Sequence, residues 1–76
     1  LQEEKNPKRS LSYFNYAYRL APSNPVTVLN LAVLCDRYLN KKKEAKAFYQ
    51  RYLVLTRQDS SLAGERASVE KRIQAL

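Results

Sequence analysis

The stretch that decides the fold is NPVTVLNLAVLCDRYLN, which runs from Asn24 to Asn40. Asn24 can accept hydrogen bonds from the free N–H groups of a helix start, and the fixed φ of Pro25 suits the first helical position. Asn40 can adopt the left-handed conformation that closes a helix. Apolar residues recur between these ends every three or four positions, at Val28, Leu31, Ala32, Cys35 and Tyr38 or Leu39. The stretch therefore predicts one helix, from Pro25 to Leu39.

Three more helical segments are predicted, one before this stretch and two after it. The same Asn-Pro pair stands at positions 6 and 7, and the apolar spacing after it predicts a helix from about Pro7 to Leu20. A turn at Lys41–Lys43 precedes a third helix, and Asp59 or Ser60 caps a fourth. The apolar residues of the last two helices are Ala45, Phe48, Tyr49, Tyr52 and Leu55, then Leu62, Val69, Ile73 and Leu76. Short connections make each helix antiparallel to the one before it, which predicts an all-α chain of stacked helical hairpins.

Composition agrees with a small helical domain. The chain has 76 residues, of which 45% are hydrophobic and 28% charged, with one Gly and three Pro. A net charge of +7 favours binding to acidic partners, nucleic acid or an anionic membrane surface. The basic residues are spread along the chain, however, which favours an ordinary solvent-exposed surface. No apolar run approaches the roughly 20 residues of a membrane-spanning helix. The single cysteine leaves cytosol and periplasm both open, and the start at Leu1 without Met indicates that the sequence begins inside a longer polypeptide.

The residue types needed for catalysis are missing. The chain has no histidine and one cysteine, so it can assemble neither a Cys/His metal site nor a Ser-His or Cys-His nucleophile. Cys35 falls on the apolar stripe, where a cysteine acts as a small hydrophobe. We therefore expect no enzyme and no cofactor. Aromatic residues interleaved with basic ones are typical of single-strand binding surfaces, but helical spacing favours packing roles for Phe14, Tyr18, Tyr49 and Tyr52 and leaves Tyr16 open.

The chain also repeats with a period of 35 residues, which aligns Phe14 with Tyr49, Leu20 with Leu55 and Asn24 with Asp59. This pattern resembles the tetratricopeptide repeat (TPR) family, which pairs W-x2-L-G-x2-Y on a first helix with A-x3-F and a later Pro on a second. The matching positions are Ser10, Phe14, Ala17 and Pro22, then Val28, Leu31, Ala32 and Cys35, then Ala45, Tyr49 and Tyr52. The family period is 34 residues, and we expect the one extra residue here to lie in the Lys41–Lys43 turn.

The resemblance implies a domain organisation. Residues 1–24 are similar to the C-terminal half of one repeat, residues 25–59 to a complete repeat, and residues 60–76 to a C-terminal capping helix, whose many charges suit the open end of a solenoid. The implied architecture is a set of antiparallel helical hairpins stacked as a right-handed TPR-like solenoid.

The resemblance also implies a binding surface, because the first helix of each repeat in this family lines a concave groove. The residues expected to face it are Val26, Leu29, Asn30, Val33, Asp36 and Arg37. The predicted function is a protein–protein interaction scaffold that binds a protein or peptide, preferably acidic, in an apolar groove with a basic rim. Neighbouring repeats or self-association could instead cover this face. RNA binding by a helical repeat and a purely structural oligomerisation role are the alternative functions.

Overall fold

The computed structural model describes residues 7–76, and within that range the regular secondary structure is all helical, with short connections and no strand. The prediction of an all-α chain is confirmed. The segments are α1 (Pro7–Leu20), α2 (Pro25–Val33) with a following π-helical turn (Leu34–Tyr38), α3 (Lys42–Thr56), a 3-10 turn (Ser60–Leu62) and α4 (Ala63–Ala75). The cap expected at Asn6 lies outside the described residues, and so do residues 1–5, which the sequence predicts to be the end of a preceding helix.

The predicted caps at the starts of the second and fourth helical segments are confirmed. The Oδ1 atom of Asn24 accepts hydrogen bonds from the N–H groups of Val26 (3.0 Å) and Thr27 (3.4 Å). The Oδ1 atom of Asp59 accepts one from the N–H of Ser61 (3.1 Å). Each cap satisfies donors that a helix leaves unpaired at its first turn. The two capped helical segments begin at residues 25 and 60, which are 35 residues apart.

The end of the second helix differs from the prediction of regular α-helix up to Leu39. The backbone instead forms a π-helical turn, in which the N–H of Leu39 donates to the carbonyl of Leu34 at 3.1 Å. Asn40 then takes the expected left-handed conformation, with φ of 53°. The prediction of a turn across all three lysines is wrong, because α3 already begins at Lys42. A π turn accommodates one residue more than an α turn, so the second helical segment takes up one extra residue here relative to a regular helix.

The core lies between α2 and α3. Its buried residues are Val28, Ala32 and Cys35 from α2 and its π turn, Ala45, Tyr49 and Tyr52 from α3, and Val69 from α4. Ala32 and Ala45 have no exposed surface, and such small side chains let two helix backbones approach closely. Burial raises the pKa of the Cys35 thiol, in keeping with the predicted core role of this residue. α1 contributes no fully buried side chain among its described residues and packs through Tyr18, whose ring meets that of Phe48 edge-on at 5.7 Å.

Candidate interaction groove

An open groove of about 480 Å³ separates α2 from α4. We call it the α2–α4 groove. Its floor is largely apolar and its rim carries three cationic side chains. The residues that line it are Leu29, Val33, Arg37, Tyr49, Ser68, Val69, Lys71, Arg72 and Ala75. An apolar cleft with a few polar groups at its edge is the usual form of a binding site, and such clefts commonly measure about 300–1,000 Å³.

Three of the six residues expected to bind a partner meet in this groove. Leu29 and Val33 are half-buried on its floor, and Arg37 is exposed on its rim. These side chains share one side of the second helical segment because they are spaced four residues apart. The groove thus contains an apolar surface and a cation from the predicted set.

The other three expected residues lie elsewhere. Val26 is 65% exposed and does not line the groove. Asn30 is half-buried and borders a smaller cavity between α1 and the second helical segment. The Asp36 side chain has no exposed surface, which corrects the expectation that it faces a partner. Its position is determined by the hydrogen bonds that surround it.

The carboxylate of Asp36 accepts hydrogen bonds from three side chains. Its Oδ1 atom accepts from Lys42 Nζ (2.7 Å) and Arg72 Nη2 (2.6 Å). Its Oδ2 atom accepts from Tyr49 Oη (2.9 Å) and Arg72 Nε (2.6 Å). Arg72 therefore binds the carboxylate in a bidentate manner, through Nε and Nη2 of its guanidinium. This is a frequent and strong geometry for an Arg–carboxylate pair. The contact joins α4 to the π turn, 36 residues away along the chain.

This network shifts the ionisation of its members. The hydrogen bonds from Arg72 lower the pKa of Asp36 most, with further lowering from Lys42 and Tyr49, and together they outweigh the burial that would raise it. Burial, helped by the hydrogen bond to Asp36, raises the pKa of Tyr49 to about 12. The carboxylate is thus ionised and the phenol protonated at neutral pH.

The rim of the α2–α4 groove is electropositive as a result. Arg37 and Lys71 are exposed at the rim, and no residue that lines the groove is acidic. The nearby negative charge of Asp36 is buried and is shared between Arg72 and Lys42. A ligand in the groove would therefore meet apolar side chains on the floor. At the rim it would meet Arg37 and Lys71, which do not donate to Asp36.

No histidine, cysteine or carboxylate lines the α2–α4 groove. Residues 7–76 hold no cluster of three His, Cys, Asp or Glu side chains that could bind a metal ion. Within the same range, no helix is long and apolar enough to cross a membrane. The arrangement is suited to holding a ligand by shape, apolar contact and charge.

Comparisons with known protein families, with curated proteins and with solved structures find no match to this chain.

The sequence prediction missed the α4 side of the groove. Arg72 stands 35 residues after Arg37, and Ser68 stands 35 residues after Val33. Extending the repeat alignment from the second helical segment onto α4 would have found these two positions. Nothing comparable in the spacing indicates Tyr49, because its phenol reaches the network only when α3 packs against the second helical segment.

Proposed function

We propose that this chain is a protein-interaction module that binds a peptide segment of another protein in the α2–α4 groove. The segment would place apolar side chains on Leu29, Val33 and Val69 and carboxylates beside Arg37 and Lys71. The observation that carries the proposal is the apolar floor beneath a rim with cations and no acidic residue. A scaffold role follows, in which binding and not catalysis is the activity.

Several features support a TPR-like solenoid as the framework of this module. Corresponding helical segments start 35 residues apart, and helices that are neighbours in the chain pack against each other. In that arrangement the second helical segment and α4 occupy equivalent positions in successive repeats. The groove between them would then be one part of a concave surface.

The two parts of the groove would contribute differently to binding. Apolar contact with the floor supplies affinity at roughly 25 cal/mol for each Å² removed from water, before the losses of entropy on association. Charges at an exposed rim mainly raise the association rate, and salt weakens their effect. We therefore expect the rim to select acidic segments and the floor to retain them.

Charge reversal at the rim tests this function. The probe is an array of fluorescent peptides that combine Leu or Val with Asp or Glu at varied spacings, and binding is followed by anisotropy. The double variant Arg37→Glu, Lys71→Glu should weaken binding of the best peptides at least about tenfold, a loss of roughly 1.4 kcal/mol. Both residues are exposed, so the melting temperature should change little.

The matched control is Lys46→Glu, an exposed lysine of α3 that does not line the groove. It reverses a charge of the same kind at a different place and should leave binding nearly unchanged. Equal losses from Lys46→Glu and from the rim variants would contradict a specific groove. Tighter binding of a random RNA than of every peptide at physiological salt would favour the nucleic-acid alternative instead.

A further inference from the structure

Arg72 has hydrogen-bonding capacity that the fold does not use. Its Nε and Nη2 atoms donate to the carboxylate of Asp36, at 2.6 Å each, along one side of the guanidinium. A guanidinium carries more N–H donors than one carboxylate accepts, and those on Nη1 point from its end together with the second one on Nη2. Within residues 7–76, Nη1 of Arg72 makes no hydrogen bond. The end of this guanidinium therefore holds an unused pair of parallel donors.

These donors belong to a side chain of the α2–α4 groove. Arg72 lines the groove, and 42% of its side chain is exposed although the Asp36 side chain that it binds has no exposed surface. Val69 lies one helical turn before Arg72 on α4 and also lines the groove. A ligand that placed a carboxylate at the end of Arg72 would thus rest its apolar part on the floor of the groove.

Asp36 orients the unused donors. Its carboxylate also accepts hydrogen bonds from Tyr49 Oη (2.9 Å) and Lys42 Nζ (2.7 Å) of α3, so the bidentate contact holds the guanidinium of Arg72 in one orientation. A side chain that is held in advance loses less conformational freedom on binding than one that is free to rotate. Asp36 is therefore a positioning residue, and it distinguishes Arg72 from the two other cations of the rim.

The charge of the network indicates which anion would bind. Lys42 and Arg72 are both cations, whereas Asp36 supplies a single negative charge and Tyr49 is neutral because its pKa is raised to about 12. One further negative charge would balance the network, which suits a carboxylate better than a phosphate group with its higher charge. The parallel donors on Nη1 and Nη2 also match the two oxygens of a carboxylate.

We propose that the end of Arg72 is a carboxylate-binding subsite of the α2–α4 groove, where Arg72 anchors an aspartate or glutamate of the bound segment. The inference rests on the proposed function and adds an anchor to the two exposed cations, Arg37 and Lys71. These two attract an acidic segment, and Arg72 holds one of its carboxylates through a bidentate pair. Salt weakens the contribution of Arg72 less, because a partly buried pair is screened less than exposed charges are.

A small anion tests the subsite on the 76-residue chain. The probe is isovalerate, which joins a branched apolar group to one carboxylate, and binding is followed through the NMR signal of the Arg72 Nε–H group. We expect isovalerate to shift this signal with a Kd of about 1–10 mM, as befits so small a ligand. The alcohol 3-methylbutan-1-ol has the same apolar group without the charge and should leave the signal in place. Equal shifts from the two compounds, or no shift from isovalerate, would overturn the subsite.

Two arginine variants form a matched pair for peptide binding. Arg72→Lys keeps the positive charge but removes the fork of donors, so it should weaken binding of the best acidic peptide about tenfold, and most of this loss should remain at about 0.5 M salt. Arg51→Lys makes the same exchange at an exposed position of α3 outside the groove and should change binding less than about twofold. The loss from Arg37→Gln should instead shrink as salt is added.

A core variant separates anchoring from a purely structural role. Arg72→Lys also alters the contact with Asp36, so its melting temperature should fall. Val28→Ala opens a cavity in the core, away from the residues that line the groove, and should lower the melting temperature while affinity stays within about twofold. Equal losses of affinity from Arg72→Lys and Val28→Ala would mean that Arg72 acts only through the fold, against the proposal.

Failure of the subsite and failure of the proposed function give different results. Peptide binding that Arg72→Lys leaves unchanged would retain the groove and remove the subsite. A shift of the Arg72 signal by isovalerate, without binding of any peptide, would retain the subsite and remove the proposed function. Inorganic phosphate that shifts the same signal at a lower concentration than isovalerate would overturn the carboxylate as the ligand.

Discussion

Asp36 shows how one buried carboxylate can connect distant parts of a small fold. It receives side-chain hydrogen bonds from two residues of α3 and one of α4, and none of the fully buried side-chain polar atoms among the described residues lacks a partner. Removing a buried charge from water is costly unless it is well paired. Here the bidentate contact with Arg72 supplies most of the pairing, so Asp36 is a structural residue that also holds one wall of the α2–α4 groove.

Stability should therefore depend on the ionisation of Asp36 in acid. Because its pKa is lowered in the folded chain, the carboxylate stabilises the fold above its unfolded-state pKa of about 4, and this contribution is lost as the pH falls through the lower folded-state pKa. Asp36→Asn should cost about 1.5–3 kcal/mol at pH 7 and flatten the loss of stability below about pH 4. Urea unfolding at several pH values measures both effects.

The control for this prediction is Asp59→Asn. Asp59 is exposed, and an asparagine there can still cap the 3-10 turn. It removes the same charge and should cost little at any pH. An acid unfolding profile that is the same for Asp36→Asn and the unchanged chain would mean that the Asp36 network contributes nothing.

At the scale of elements, the seam between the second helical segment and α3 sets the geometry of the site. Ala32 and Ala45 allow the close approach, and the π turn adds a residue where the second helical segment ends. The turn carries Asp36 to the start of α3, where Lys42 donates to both its carboxylate and its backbone carbonyl at 2.7 Å. The irregular turn is thus stabilised by specific side-chain contacts.

Enlarging a residue of this seam should destabilise the chain. Ala32 has no exposed surface, so Ala32→Leu must force extra methyl groups between two helices that already touch, at a cost of about 1–3 kcal/mol. Ala47→Leu, at an exposed position of α3, is the matched control and should change stability by less than about 0.5 kcal/mol. Thermal unfolding followed by circular dichroism compares them. Equal melting temperatures would exclude Ala32 from the seam.

At the scale of the whole molecule, burial is concentrated in the middle of the chain. Most core residues belong to the second helical segment and α3, whereas α4 adds Val69 and α1 adds only partly buried side chains among those described. Besides Val69, α4 is held by polar contacts, since Arg72 binds Asp36 and Arg66 Nη1 donates to the backbone carbonyls of Thr56 and Asp59. Elements with few apolar contacts open more easily than the core.

Amide hydrogen exchange should therefore be graded along the chain. We expect the slowest exchange from residues 28–32 and 45–52, faster exchange in α4 and the fastest helical exchange in α1, because local opening follows the loss of buried apolar contact. NMR-detected exchange at neutral pH resolves the helices separately. Uniform protection across α1 and α3 would contradict this gradient.

The sequence by itself determined the elements of this protein, because their signals are local. Asn24-Pro25, Asp59 and Asn40 mark where helices begin and end, the apolar spacing identifies Val28, Ala32 and Cys35 as core, and the 35-residue period relates the helix starts. The tertiary structure alone decided what each polar side chain does. Asp36 and Arg37 are adjacent charged residues, and both were expected at the surface. Arg37 reaches the rim of the α2–α4 groove, whereas Asp36 is buried. That difference arises because Asp36 meets Arg72 and Tyr49 only after α3 and α4 pack, whereas the resemblance to a repeat family implied that both residues face one groove.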